Sequence, residues 1–145
     1  MQTDKPLPTH ADLIHFLDSQ VLCTVSSIGE GDYPNAASVA FSNNDELEFV
    51  IGTTVQSRKA ANIARSNKVA LTVTDGTKMW TVQLEGDAQE ISWDEFDAKF
   101  SDKHYQKLPF ARTFKDIPGQ TNYVIKPVHL KLTEADIHPW RVTEF

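Results

Sequence analysis

The sequence has a single cysteine, Cys23, in 145 residues. An internal disulfide and any multi-cysteine metal centre are therefore excluded. Cys23 lies in an apolar run and reads as a small buried hydrophobe. No run of cations is longer than the Arg58–Lys59 pair, and the net charge is −6. That balance argues against nucleic acid or an anionic membrane surface as a partner. No apolar run approaches ~18 residues, so no membrane-spanning helix is expected. The start, Met1 to His10, is polar with two prolines and lacks the character of a signal peptide. The expected location is cytoplasmic. Internal repeats, linkers and low-complexity tracts are also missing, which leaves one domain, 1–145. The histidines form no metal-ligand pattern: His10 and His15 miss the spacing that aligns two side chains on a helix face, and His104, His129 and His138 are scattered.

What is present is a globular composition, 40% apolar, in a chain long enough to bury a core without staples. Residues 1–8 read as a flexible arm. Thr9 caps a helix over 10–19, with Leu13, Ile14, Phe16 and Leu17 on one face. Val21 to Ser26 reads as a strand, Ile28 to Tyr33 as a turn, and Ala36 to Ser42 as a second strand. The small residues that open this second strand leave room for something to approach its backbone. Asn43, Asn44 and Asp45 turn the chain into a third strand, Leu47 to Gly52. Val69 to Thr74 alternates like a strand, and Asp75–Gly76 is a hairpin signal. Met79 to Ile91 reads as one long strand, with Trp80, Val82, Leu84 and Gly86 on one face and Thr81, Gln83 and Glu85 on the other. Gly86 fits a bend or bulge. Ser92 caps a helix, Trp93 to Phe100, whose acidic residues Asp94, Glu95 and Asp97 form a solvated face. His104 to Gln120 yields no clear pattern. Asn122 to Leu132 is a last strand, with Pro127 at a bulge or edge, and 134–145 is a C-terminal tail. Six strands adjacent to their sequence neighbours predict an antiparallel barrel with inserted helices; an α+β sandwich is the competing architecture.

The stretch Glu46 to Ser66 carries the strongest chemistry. An apolar strand runs through Gly52 into a hydroxyl-rich loop with Thr53 and Thr54. The loop opens a helix over 57–66 that begins Ser57–Arg58–Lys59. Backbone N–H groups at a helix start have no partner in the helix, and the helix dipole favours an anion there. Arg58 can grip a phosphate with two hydrogen bonds, and Lys59 adds a point charge. This is a phosphate cradle; an exposed helix start with ordinary surface cations is the plainer alternative.

In order and spacing these pieces resemble the pyridoxamine 5′-phosphate oxidase-like proteins of the FMN-binding split β-barrel superfamily. The likeness covers roughly residues 10–92. It rests on Pro34 followed by small residues, on Gly52–Thr53–Thr54 with Ser57–Arg58–Lys59–Ala60, on Asn62, and on Val82–Gln83–Leu84–Glu85–Gly86. The resemblance implies a six-stranded antiparallel split β-barrel. It implies that Thr53, Ser57, Arg58 and Lys59 hold the FMN phosphate, with Thr54 beside them. It implies that Ala37, Ser38 and Val39 line the flavin ring through backbone atoms, and that Thr81 or Gln83 takes the place of the oxidase's ring-contacting glutamine. Where the oxidase has an arginine and a lysine in the second strand, this chain has Ala37 and Ser42. The oxidase's C-terminal Trp- and Arg-containing segment has no clear match, although Trp140 and Arg141 are adjacent. The chain is thus similar to the short, general members of the family and not to the oxidase proper. The implied function is an FMN-dependent oxidoreductase acting on a small-molecule substrate. A non-catalytic flavin store or sensor is the alternative, and the deazaflavin F420 or haem are alternative cofactors. Relatives place FMN between two subunits, so a homodimer is implied. Trp80, Trp93, Phe110, Phe114, Tyr123 and Trp140 exceed what one small barrel needs inside.

Overall fold

The computed structural model describes residues 4–145; the first three residues of the expected arm lie outside it. Thr9 accepts from the Asp12 N–H, and Asp12 accepts from the Thr9 N–H, so a complete capping box starts α1 (His10–Asp18). β1 (Leu22–Ile28), β2 (Pro34–Asn43) and β3 (Phe49–Thr54) follow, and then α2 (Arg58–Arg65). β4 (Lys68–Asp75) turns through Asp75, whose carboxylate accepts from the Thr77 and Lys78 N–H groups, into β5 (Trp80–Ile91). α3 (Trp93–Lys99), α4 (Ser101–Lys107) and a 3-10 helix (Pro109–Asp116) lead to β6 (Gln120–Glu134) and β7 (Arg141–Glu144).

Every strand pairing is antiparallel. β1 lies between β2 and β4, β2 pairs β3, β3 pairs β6, and β5 joins β6 to β4. The ring of six strands closes, which removes the free edges of an open sheet except where β2 and β3 part. β7 hangs on the C-terminal half of β6, outside the ring. Inward side chains fill the barrel, among them Val25, Phe41, Ile51, Leu71, Val82 and Ile125, each at most 1% exposed. α1 plugs this core with Leu13, Phe16 and Leu17, and α2 adds Ala60 and Ile63. A second cluster forms on the outside, where Val50 and Val124 meet Phe96 and Phe100 beneath α3 and α4.

The bulge expected at Gly86 is present. Glu85 faces His129 while Gly86 faces Pro127, so Val128 is the extra residue. A Cβ at Gly86 would stand 2.6 Å from the Lys126 carbonyl oxygen, so the crossing admits only glycine.

Several boundaries differ from the sequence reading. β3 runs Phe49–Thr54, two residues later than expected, because Leu47 has φ 61° in a turn closed by Asn44, whose side chain accepts from the Glu48 N–H. Thr53 and Thr54 therefore belong to the strand and not to a loop; they face Thr121 and Gln120 of β6. The unread stretch from His104 is helical, with His104, Leu108 and Ala111 buried on one face. Part of the tail is β7. Its Arg141 grips the fully buried carboxylate of Glu134 with two hydrogen bonds, at 2.7 and 3.1 Å. The same guanidinium donates to the Lys5 and Pro6 carbonyls, and Lys5 Nζ lies 3.3 Å from Glu134. The two ends of the chain thus meet at one buried charge.

Candidate functional site

β2 and β3 stay paired only between Phe41–Asn43 and Phe49–Ile51. Beyond Phe41 they part, and residues 34–40 have a strand neighbour on the β1 side alone. Half the backbone N–H and C=O groups of that stretch are left to a ligand or to water. Ala37, Ser38 and Val39 lie in this freed segment, with Ser38 exposed and its neighbours half-buried. On the other lip, β3 delivers Thr53 to the start of α2. Thr53 Oγ1 donates to Ser57 Oγ at 3.0 Å, and Ser57 Oγ accepts from the Ala60 N–H at 3.1 Å, capping the helix. Ser57 is thereby fixed by both neighbours, while Thr54 is exposed.

Arg58 is exposed and Lys59 half-buried; among the described residues neither side chain makes an ion pair or hydrogen bond. Two unpaired cations thus stand at a helix start that favours negative charge. Asn62 holds this helix in place. It is 1% exposed, its Nδ2 donates to Ser27 Oγ (2.9 Å) and Asn35 Oδ1 (2.8 Å), and its Oδ1 accepts from Arg65 (2.7 Å). The bond to Asn35 ties the cradle to β2 two residues before Ala37. Ser27 and Asn35 were not singled out in the sequence; their roles depend on strand register.

Thr81 and Gln83 are on the outward face of β5, Gln83 exposed and Thr81 half-buried. Register places Ser38, Thr24, Thr72 and Gln83 in one row across β2, β1, β4 and β5. Three strand spacings, roughly 14 Å, separate Ser38 from Gln83. Within one chain these residues share a face.

Ser42 is 1% exposed and bonded to His104 Nδ1 at 2.7 Å, so no charge occupies that position of β2. His104 is 8% exposed, packs edge-on against Phe96 with ring centroids 5.1 Å apart, and has no carboxylate partner among the described residues. Burial, reinforced by the Lys107 charge, pushes its pKa down to about 4. Of the aromatics noted above, Trp80 and Tyr123 belong to the core, Trp93 and Phe114 are half-buried, and Phe110 and Trp140 are exposed. Among the described residues no group of His, Cys, Asp and Glu could hold a metal ion, and no helix is long and apolar enough to cross a membrane.

The family model described as pyridoxamine 5′-phosphate oxidase matches residues 10–134. No curated protein matches the chain significantly. Among solved structures, a heme binding protein from Mycobacterium smegmatis superposes with a TM-score of 0.75 at 15% identity, over 97% of this chain and 60% of that one. A protein from Clostridium acetobutylicum, related to general stress protein 26 of B. subtilis, gives 0.71 at 17% identity over 94% and 92%. A pyridoxamine 5′-phosphate oxidase-related, FMN binding protein from Nostoc punctiforme gives 0.69 at 13% identity over 94% and 92%. At these identities the structural likeness speaks for the fold.

Proposed function

The chain belongs to the pyridoxamine 5′-phosphate oxidase family, and from that premise we propose that it binds FMN and serves as an oxidoreductase for a small molecule. The observation that carries the reading is the helix start at Ser57, where Arg58 and Lys59 are unpaired, on a helix that Asn62 ties to the strand whose own partner has peeled away. Arg58 and Lys59 would hold the phosphate, assisted by hydroxyls of Thr53, Ser57 and Thr54. The freed backbone of Ala37–Val39 would hold the ring. Bound flavin supplies the transfer of an electron pair; the protein supplies orientation and electrostatics. No acid or base of this chain is required for that step.

A homodimer fits the same reading. Gln83 stands three strand spacings from Ser38 in its own chain, and the face it occupies adjoins two shallow cavities of about 350 and 570 Å³ beside β4, β5 and β6. Ile28, Val128 and Phe145 on that face are exposed apolar side chains that a second copy would cover. A cytoplasmic location is part of the same proposal. Haem is the second reading, carried by the fold shared with the Mycobacterium smegmatis protein; the exposed His129 beside the larger cavity is the candidate axial ligand.

Titration of the apo protein with FMN, riboflavin, F420 and haemin tests the assignment. A phosphate monoester carries about −1.5 to −2 charges at neutral pH. Losing one charge-assisted partner costs roughly 1.5–3 kcal/mol, about ten- to hundredfold in affinity. Arg58→Ala is expected to weaken FMN by at least about tenfold and leave riboflavin unchanged. Equal weakening of both would show that Arg58 is structural. Failure of the wild type to bind any flavin, with tight haemin binding, would transfer the assignment to haem.

A further inference from the structure

Asn62 lies one turn of α2 beyond Arg58 and is 1% exposed, too buried to touch a ligand. Arg65 fixes which way its amide faces. A guanidinium only donates, so the atom 2.7 Å from Arg65 is the Asn62 oxygen. The nitrogen then faces the strands and uses both of its hydrogens. One goes to Ser27 Oγ of β1 at 2.9 Å, the other to Asn35 Oδ1 of β2 at 2.8 Å. Ser27 and Asn35 are themselves opposite each other in the β1–β2 register, so one amide holds both members of a pair. Asn35 keeps its place because residue 29 is glycine; a Cβ there would stand 2.5 Å from Asn35 Oδ1. Among the described residues, no other side-chain hydrogen bond joins α2 to β2. β3 has already left β2 at this point, so no strand holds Asn35 on that side.

We propose that Asn62, acting through Asn35, is a positioning residue that sets the span between the cationic cradle and the freed strand, and with it the preference for a phosphorylated flavin over the dephosphorylated one. The role rests on the flavin reading above and adds a residue that no ligand touches. FMN carries its ring and its phosphate at the two ends of one ribityl chain. Both ends are seated together only when the two lips keep a matching separation. A helix cut loose from β2 must be ordered again each time FMN binds, and that cost comes out of the affinity. Riboflavin has no phosphate to place on the cradle, so its affinity does not depend on the tether. The bond to Ser27 differs: it fastens α2 to β1, which stays paired on both sides and does not form the freed lip.

The test is fluorescence titration of the full-length apo protein with FMN and with riboflavin, for the wild type, Asn62→Ala, Asn35→Ala, the double variant and Ser27→Ala. The quantity read is the ratio of the two affinities, which a general loss of stability does not move. Asn62→Ala and Asn35→Ala are each expected to lower the FMN preference about three- to tenfold and leave riboflavin unchanged. The double variant is expected to match the single ones, because either substitution breaks the same bond. Ser27→Ala is expected to melt earlier and keep the wild-type ratio. If Asn62→Ala fails to fold, Asn35→Ala decides the matter, since its side chain is only half-buried. An unchanged ratio in Asn35→Ala, equal weakening of both ligands, additive losses in the double variant, or the same shift in Ser27→Ala would each overturn the proposal. A wild type that prefers FMN, with an unmoved ratio in Asn35→Ala, removes the tether and leaves the cradle standing; a wild type that binds neither flavin removes both.

Discussion

His104 predicts a specific acid weakness. It is buried behind Phe96 and Tyr105 and hydrogen-bonded to Ser42, with the Lys107 charge as its electrostatic neighbour. Burial first, and Lys107 second, lower its pKa from 6.5 to about 4. The unfolded chain therefore takes up a proton on this imidazole near pH 6.5, while the folded chain resists until about pH 4. Protons bind the unfolded state more, so stability falls as the pH drops through that window and changes no further below it. Above pH 6.5 the group contributes no pH dependence. The 2.5-unit gap is worth about 3 kcal/mol in full, of which about 2 kcal/mol is lost by pH 5. Carboxylates also titrate toward the acid end, so the wild type alone is not diagnostic. His104→Gln removes the titration while keeping an amide within reach of Ser42. Urea midpoints of both proteins between pH 7.5 and 4.5 supply the comparison. The wild type is expected to lose about 2 kcal/mol more than the variant between pH 7 and 5. Parallel curves would refute the argument, as would an imidazole resonance titrating near 6.5 in the folded protein.

Three further outcomes follow from the packing. Gly86→Val should cost about 1–3 kcal/mol or more, because its Cβ would meet the Lys126 carbonyl, while Gly76→Ala, with open space around it, should be close to neutral; thermal unfolding of the pair checks this. Arg141→Ala should destabilise, because the buried Glu134 carboxylate would keep only Lys5 as a partner, and the double substitution Glu134→Leu, Arg141→Met should be milder in denaturant unfolding. Ser57→Ala should lower stability by about 1 kcal/mol through the lost cap and also weaken FMN, seen as a lower melting temperature and a raised dissociation constant in the same preparation.

Local signals in the sequence reported local structure well. Thr9 and Ser92 each cap a helix as read, since a cap needs only a hydroxyl and an N–H three residues on; Ser57, read as the first residue of its helix, is a third such cap. The long β5 showed its two faces because alternation survives wherever one face is wet. The bulge could be read from Gly86 and Pro127, two residues that disturb a ladder in different ways. Residues 101–116 failed for an equally local reason. Two helices of one or two turns adjoin Pro109, and their buried face, His104, Leu108 and Ala111, includes a polar side chain. The spacing of those three residues was the available signal, diluted by histidine and interrupted by proline.

The candidate site divides along the same line. Thr53, Ser57, Arg58 and Lys59 lie within one strand end and one helix start, so the chain itself brings them together, and the sequence placed them. What makes the freed face of β2 available is the point at which β2 leaves β3, a property of two strands and not of either alone. A cavity lined by Trp93, Phe96 and Tyr105 depends likewise on the pairing of Gly52 with Asn122 across β3 and β6, followed by helices whose pattern was unreadable. A glycine in a strand and an asparagine at the start of another are unremarkable by themselves. Placed opposite each other, the missing Cβ of the glycine leaves room beside the side-chain oxygen of the asparagine. Register is set by the whole barrel closing around its core, so a site built on register becomes visible only once the ring has closed.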